Sequence, residues 1–400
     1  MDQAAGPAGR RLRLGVVGLS RAFVLMLPTL AGHSRVQVVA CADPRPEARA
    51  RFAQDFPASR GYTDIAGLCG DAEVEAVYIA TPHQFHAPDV LAACAAGRHA
   101  LVEKPMAITL EDCAAMIKAA QRAGVHLVIG HSHSHDGPVL AARRMIASGV
   151  HGRVRMITAL TYTDFLYRPR RPEELETAKG GGVVFSQGAH QVDVVRLLGG
   201  GRLRSVRAQC FAWDPARPTE GAYTALLQFE DGTAATISYS GHGHFDTDEL
   251  QGWVGESGHR RDPDAYGAAR RALAAAPDEV ALKIRRAYGP QSPPLPAPGP
   301  PAFHHHFGFL LASCERADLR LTAEGVIVHG DDRHWLERTP LPAVPRAEVL
   351  DEFCGAVLDG RKPLHDGAWG MATLEACLAL LQSAAQEREV TLHHQVATND

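Results

Sequence analysis

The chain has 400 residues, 46% of them apolar and 22% charged, with a formal net charge of −4. That length suits two domains of roughly 100–200 residues, each large enough to bury a core. The charge balance excludes a generally basic nucleic-acid binder, and no apolar run reaches the roughly 18 residues of a membrane span.

The first residues lack the apolar core of a secretory leader, so a cytoplasmic protein is expected. The 8 cysteines are scattered without a CxxC pair and read as small core hydrophobes in a reducing compartment. Small-molecule partners are expected, with no nucleic acid and no membrane.

In chain order, an apolar run at 12–17 ends in Gly18 and leads into a helix over 19–31. A second β-rich run, 36–42, ends at Asp43, and Pro44 and Pro46 open a helix reaching 56. A strong strand at 74–80 precedes Thr81-Pro82 and a helix over 87–96, with Gly97 as its C′ residue. Residues 99–102 form the next strand and run into Glu103-Lys104-Pro105. Thr109 caps a helix lasting to Gly124, and 125–129 is another buried strand. Short apolar strands alternating with helices predict parallel βαβ units and a doubly wound sheet.

Beyond residue 130 the pattern changes. Longer strands are predicted at 154–163, 203–211, 223–229 and 234–239, with a helix over 183–198 and Asp231-Gly232 as a hairpin turn. This reads as an α+β domain with a mostly antiparallel sheet. An insertion at about 241–308 interrupts it, and its proline-rich part, 289–301, is expected to be an extended surface loop. A strand at 319–328 and helices at 348–358 and 372–386 close the chain. The expected domains are 1–130 and 131–400, with the last helices free to pack back on the first. An open antiparallel face should not stay bare, so a homodimer or homotetramer is expected.

The turn Gly18-Leu19-Ser20-Arg21-Ala22 sits where a strand meets a helix. Backbone amides at such a helix start can bind a diphosphate, and the helix dipole favours its charge. Ser20 replaces the second glycine of the dinucleotide fingerprint, and its third small residue is expected further along. Asp43 ends the second strand, where a carboxylate accepts from ribose hydroxyls and repels a 2′-phosphate. NAD is therefore favoured over NADP, with Arg45 keeping NADP as the lesser reading. Asp43 as a plain helix cap is the competing structural reading. Lys104 follows a buried strand at the edge where a doubly wound sheet opens its ligand crevice. A desolvated lysine there can exchange a proton with a substrate hydroxyl.

These motifs resemble the glucose–fructose oxidoreductase/inositol dehydrogenase (Gfo/Idh/MocA) family. The run Ile79-Ala80-Thr81-Pro82, His86, Ala96-Gly97-Arg98-His99 and Glu103-Lys104-Pro105 carries the likeness. So does Gly180-Gly181-Gly182, His190, Asp193 and Leu198-Gly199-Gly200. The resemblance implies a Rossmann domain, a C-terminal open-sheet domain and a nicotinamide cofactor between them. It implies Lys104 and His190 as catalytic-site residues, with Thr81, Pro82, His86 and Glu103 on the cofactor side. Ser186 stands where the family usually has an Asp, so the proton acceptor stays open between Lys104 and His190. Asp193, one helical turn beyond His190, could orient its imidazole.

The stretch Tyr167-Arg168-Pro169-Arg170-Arg171 offers guanidinium forks suited to a carboxylated substrate. With 180–195 and 302–321 it is similar to the branch of the family that oxidises phthalate cis-4,5-dihydrodiol. That similarity implies an NAD-dependent dehydrogenase of a cyclic diol carboxylate, with Tyr167, Arg168, Arg170, Arg171, Ser186, Asp193 and His133 on the substrate side. A sugar or inositol dehydrogenase is the alternative within the family; a non-catalytic dinucleotide-binding regulator is the alternative outside it. His131, His133 and His135 would share one face if extended. They are read as polar loop residues, as are His242, His244 and His304–His306, and no metal is expected.

Overall fold

The computed structural model describes residues 9–130, 133–295 and 297–398. Two sheets organise it. The first contains β1 (Leu12–Val17), β2 (Val36–Ala42), β3 (Arg60–Tyr62), β4 (Ala76–Ile79), β5 (His99–Glu103) and β6 (Leu127–Gly130), in the order β3-β2-β1-β4-β5-β6. Every pairing in it is parallel. The order reverses between β1 and β4, so a crevice opens where their carboxyl ends diverge. Strands β4 and β5 are apolar because both faces are covered.

The covering helices are α1 (Arg21–Gly32), α2 (Pro46–Asp55), α3 (Ile65–Cys69), α4 (His86–Ala95) and α5 (Leu110–Ala123). Thr109 caps α5 by accepting from the Asp112 amide at 3.1 Å, and Gly124 ends it with φ +65°. Strand β3, which is only three residues long and has no apolar run, and the five-residue helix α3 were not anticipated.

A linking helix α6 (Gly137–Ala147) leads to the second sheet. Its strands are β7 (Val154–Tyr162), β8 (Leu203–Phe211), β9 (Ala222–Phe229), β10 (Ala234–Ser240), β11 (Phe309–Cys314), β12 (Asp318–Thr322), β13 (Gly325–His329), β14 (His334–Arg338) and β15 (Val390–Thr391). Their order is β14-β13-β12-β11-β7-β10-β9-β8-β15. Only β7 and β10 pair in parallel; the other neighbours are antiparallel. One face buries Ile157, Ala159, Tyr223, Leu227, Ile237 and Tyr239 against α7 (Ala189–Leu198), while Met156, Thr224, Leu226 and Thr236 are left on the other.

Two short helices, α8 (Ala268–Ala274) and α9 (Glu279–Arg285), lie in the insertion. Helices α10 (Ala347–Asp359) and α11 (Gly367–Gln386) finish the chain and return to the first sheet. Leu350 and Phe353 of α10 join the core that contains Leu14 and Phe23. Helix α11 packs Leu374 with Ile129 and Met116, and Cys377 and Leu380 with the second sheet. It is therefore buried along two sides and shared by both cores.

The proline-rich part, 289–301, is the extended surface loop expected, with no helix or strand and mostly exposed residues among those described, but the insertion is anchored just before it. Tyr288 is fully buried, edge-on to Phe23 at 5.0 Å, and Leu295 packs beside the same core. Arg51 donates to the carbonyls of Ser292 at 3.2 Å and Pro293 at 3.1 Å. Proline bars this segment from helix and sheet, but one aromatic side chain suffices to seat it on the first domain.

Candidate active site

The cleft forms at the carboxyl end of the parallel sheet. Gly18 turns with φ +85°, and a Cβ there would lie 2.9 Å from the Thr81 amide nitrogen. Only glycine lets β1 pass so close to the end of β4. Ser20 caps α1, its hydroxyl accepting from the Ala22 amide at 3.1 Å. The serine in the second glycine position thus serves the helix start. The third fingerprint position is Phe23, fully buried, in place of the small residue expected. Its ring packs on Phe52 and Tyr288, so an aromatic side chain fills the space that the fingerprint leaves to a small residue.

Asp43 accepts from the Leu19 amide at 2.8 Å and the Arg45 amide at 3.0 Å. The Arg45 guanidinium forks onto the same carboxylate at 2.9 and 3.0 Å and also donates to the Leu19 and Tyr288 carbonyls. Arg45 is thereby engaged at every nitrogen. Arg21 stands at the start of α1, and burial and then Arg286, Arg168 and Arg346 push its pKa down. Like charges crowd there. A glycine-permitted turn, a capped helix start and clustered arginines together fit the diphosphate of a dinucleotide.

Beyond it, Lys104 leaves the end of β5. Its ammonium donates to the Ser186 carbonyl at 2.7 Å; burial pushes its pKa down, and Glu103 opposes that. Glu103 accepts from the Tyr78 hydroxyl at 2.7 Å, and burial raises its carboxyl. Ser186 lies in a single π-turn, residues Val184–Gly188, immediately before α7. Such turns displace a carbonyl from the helix ladder. The lysine therefore meets the backbone of residue 186, at the position where the family's carboxylate was missing from the sequence.

His86 is fully buried, with its ring nitrogens 2.8 Å from the Pro105 carbonyl and 2.9 Å from that of Thr81. Both polar atoms are taken by backbone, so it braces the two strand ends and has none left for the cofactor it was expected to touch. The Thr81 hydroxyl donates to Asp89 at 2.7 Å, and Pro82 opens the short turn His83–Phe85. His83 was not singled out by sequence. It reaches the Gly180 carbonyl at 3.1 Å, and burial, then His86 and Lys104, push its pKa down to about 3. A neutral imidazole thus stands beside the lysine.

On the substrate side, His190 and His133 meet edge to face at 4.6 Å, and Phe307 lies against both. His133 contacts Asp136 at 2.9 Å and Glu256 at 3.3 Å. Burial works against its charge, but the two carboxylates prevail and push its pKa up to about 9. Glu256, also missed, comes from the insertion. Burial would raise its carboxyl, yet His133 and Arg168 hold it well below the usual range.

Arg168 pairs with Asp164 at 3.0 Å and lies 4.0 Å from Glu256. Arg170 lies over the Phe165 ring at 3.6 Å and donates to the Phe165 carbonyl; burial lowers its pKa to about 10. Its Nε, and the hydroxyl of nearby Tyr239, are buried without a hydrogen-bond partner among the described residues. Arg171 belongs to the outer turn, where its amide donates to Glu174 at 2.7 Å.

Tyr167 turns elsewhere. Its hydroxyl donates to Asp214 at 2.8 Å and its ring lies under Arg270 at 3.9 Å. Asp193 is buried, accepting from the Trp369 indole, with Thr373 and His365 at its other side. It ties α7 to α11. The extended histidine face does not form, because residues 133–135 are a turn and His133 and His135 take different carboxylates. His131 lies outside the described residues. His304 and His306 contact the Thr339 and Val254 carbonyls, and His242 stacks on Trp213 at 3.9 Å.

A doubly wound dinucleotide domain, joined to an open-sheet domain that closes over a buried lysine and histidine, defines a nicotinamide-dependent oxidoreductase. Residues 12–131 match the Gfo/Idh/MocA oxidoreductase family with an NAD-binding Rossmann fold, and 139–256 match a Gfo/Idh/MocA C-terminal domain. The chain is 48% identical to the 1-carboxy-3-chloro-3,4-dihydroxycyclohexa-1,5-diene dehydrogenase of Comamonas testosteroni, over 94% of this chain and 96% of that one. A crystal structure from Bordetella bronchiseptica RB50 shares 41% identity with a TM-score of 0.90, covering 96% of this chain and 100% of that one. The WlbA dehydrogenase of Bordetella pertussis, solved with NADH and UDP-GlcNAcA, shares the fold at 20% identity and a TM-score of 0.68, covering 96% and 99%. The chain belongs to the Gfo/Idh/MocA oxidoreductase family, and its N-terminal domain is an NAD-binding Rossmann domain.

Proposed function

We propose that this chain oxidises a cyclic diol that carries a carboxylate, of the aromatic cis-dihydrodiol type. The observation that carries the reading is Arg170 Nε, a buried donor with no hydrogen-bond partner among the described residues, with Arg168 and Tyr239 beside it. A buried donor left without an acceptor costs about 1–3 kcal/mol, and a substrate carboxylate removes that cost. A neutral polyol would bring no carboxylate to that donor. The 48% identical dehydrogenase, named for a carboxylated dihydroxycyclohexadiene, supports the same substrate class.

Bound NAD supplies the hydride acceptor. The diol's carbinol carbon gives up its hydride and its hydroxyl gives up a proton, leaving a ketone that tautomerises to the aromatic catechol. Lys104 sits where that hydroxyl would arrive, and its burial favours the neutral form a base requires. His190, against His133, is the second candidate for the proton. The Ser20 amide at the start of α1 would face the diphosphate; the Leu19 and Ala22 amides are already given to Asp43 and Ser20, so Asp43, which also holds Arg45, would shape the ribose end of the turn, while Thr81, Pro82 and Glu103 line the nicotinamide side. We take the cofactor unit to end near residue 130 and the substrate unit to follow.

The test is NAD reduction with phthalate cis-4,5-dihydrodiol beside inositol and glucose, in wild type and Arg170→Gln. Turnover of the dihydrodiol, with KM raised roughly tenfold or more in the variant, supports the reading. Turnover of the polyols alone overturns it.

A further inference from the structure

In the turn that carries His133, His135 meets two side chains from distant parts of the chain. His135 follows β6, Glu352 lies on α10, and His365 precedes α11. Glu352 Oε2 is 2.8 Å from His135 Nε2 and 2.9 Å from His365 Nδ1. One atom from each residue lies within 4.8 Å of the other two. His135 is 3% exposed and His365 0%, while Glu352 keeps 17% of its side chain open.

We propose that His135, Glu352 and His365 form a binding site for a divalent transition-metal ion of the zinc class. Two imidazole nitrogens and one carboxylate oxygen are a donor set that zinc accepts, with a fourth tetrahedral position left for water. Ligand atoms about 2.0–2.2 Å from zinc stand about 3.3–3.5 Å apart, so the two Glu352–histidine separations need open by only about half an ångström.

The outer contacts already hold each ligand in place. Glu352 Oε1 accepts from the His365 amide at 2.7 Å, which leaves Oε2 to face the two rings. The remote nitrogen of His365 is 2.8 Å from the Ser134 hydroxyl, so Nδ1 is the atom turned toward Glu352. The His365 carbonyl accepts from the Ile129 amide at 2.8 Å, and Asp366 bridges to Val128. The ligand loop is thus fixed to β6 itself. Partners of this kind set the tautomer and orientation of metal-binding histidines.

The Glu352 carboxyl is held far below its usual range, since His365 and His135 outweigh the effect of burial. An ion here would lock the 133–136 turn to α10 and to the start of α11, and so hold His133 against His190 from beneath. The site is separate from the proton-transfer residues and does not depend on the substrate proposed above.

The experiment uses full-length, untagged protein. Metal content is measured after purification without chelator; the protein is then stripped, titrated with Co²⁺, and challenged with Zn²⁺. About one equivalent of Co²⁺ with tetrahedral visible absorption, displaced by Zn²⁺, is expected. Glu352→Gln and His365→Ala, checked for folding by circular dichroism, should bind Co²⁺ at least about 100-fold more weakly. Absence of stoichiometric Co²⁺ uptake by the wild type overturns the proposal. So does unchanged uptake by the folded variants, which would place the ion elsewhere. Either result leaves the three residues as an imidazole–carboxylate network. Both readouts are independent of dihydrodiol turnover.

Discussion

Lys104, half-buried, and His133, buried, are basic groups of opposite tendency. Lys104 has Glu103 and, further off, Glu256, yet burial outweighs them and lowers its pKa; His133 has Asp136 and Glu256 in contact, and its pKa rises to about 9. The first is thereby suited to exchange a proton and the second to keep one. Lys104→Ala should retain NAD binding in calorimetry while kcat falls about 10²–10⁴-fold, the usual range for a positioned acid–base group. Unchanged kcat would remove Lys104 from the chemistry.

For His133 the sign follows from linkage. Its folded pKa of about 9 exceeds the ordinary 6.5, so its contribution to stability is complete below pH 6.5 and is lost as pH rises through 9. The melting temperature should therefore decline across that interval in the wild type, and the decline should be shallower in His133→Asn. Equal slopes would show that other groups govern it. Arg168 and His190 face the same pocket, so the comparison between the two proteins, rather than either curve alone, isolates His133.

At the scale of elements, the insertion does more than interrupt the second sheet. It brings Glu256 to His133, docks α9 on the arginine turn, and seats Tyr288 on the first domain. Glu279 accepts from the Arg170 amide and from Arg217, each at 2.7 Å, and Lys283 reaches Glu174 at 2.7 Å. The arginine turn is thus held from outside while Arg168 and Arg170 face inward. Tyr288→Ala removes the aromatic anchor and should cost about 3–5 kcal/mol, the range for a fully buried aromatic ring. Limited proteolysis should then cut within 286–301 before the rest of the chain. An insertion as resistant as in the wild type would show that the ion pairs alone suffice.

At the scale of the whole molecule, α10 and α11 join the two sheets, with α11 lending side chains to both cores. The outer face of the second sheet is different: Met156 is 50% exposed and Leu226 40%, among threonines at Thr224 and Thr236. A flat face of that composition on paired strands suits contact with a second copy. We expect a homodimer or homotetramer by light scattering. Leu226→Lys with Met156→Lys, whose side chains point away from the core, should reduce the mass without lowering NAD binding. A wild-type monomer would reject the expectation.

Periodicity and turn chemistry were enough to read the parallel sheet, the strand-to-helix turn at Gly18, and the placing of Lys104 at a strand's carboxyl end. These are local properties, carried by adjacent residues and the period of their apolar side chains. The buried role of His86, the seating of Tyr288 and the arrival of Glu256 could not be read that way. Each depends on which distant backbone or charge lies opposite, and Glu256 meets His133 across 123 residues. The Ser186 position illustrates the boundary between the two. From the sequence it is a missing carboxylate; in the folded chain one π-turn moves a backbone carbonyl to the lysine, because every residue carries that acceptor and only tertiary packing decides where it points.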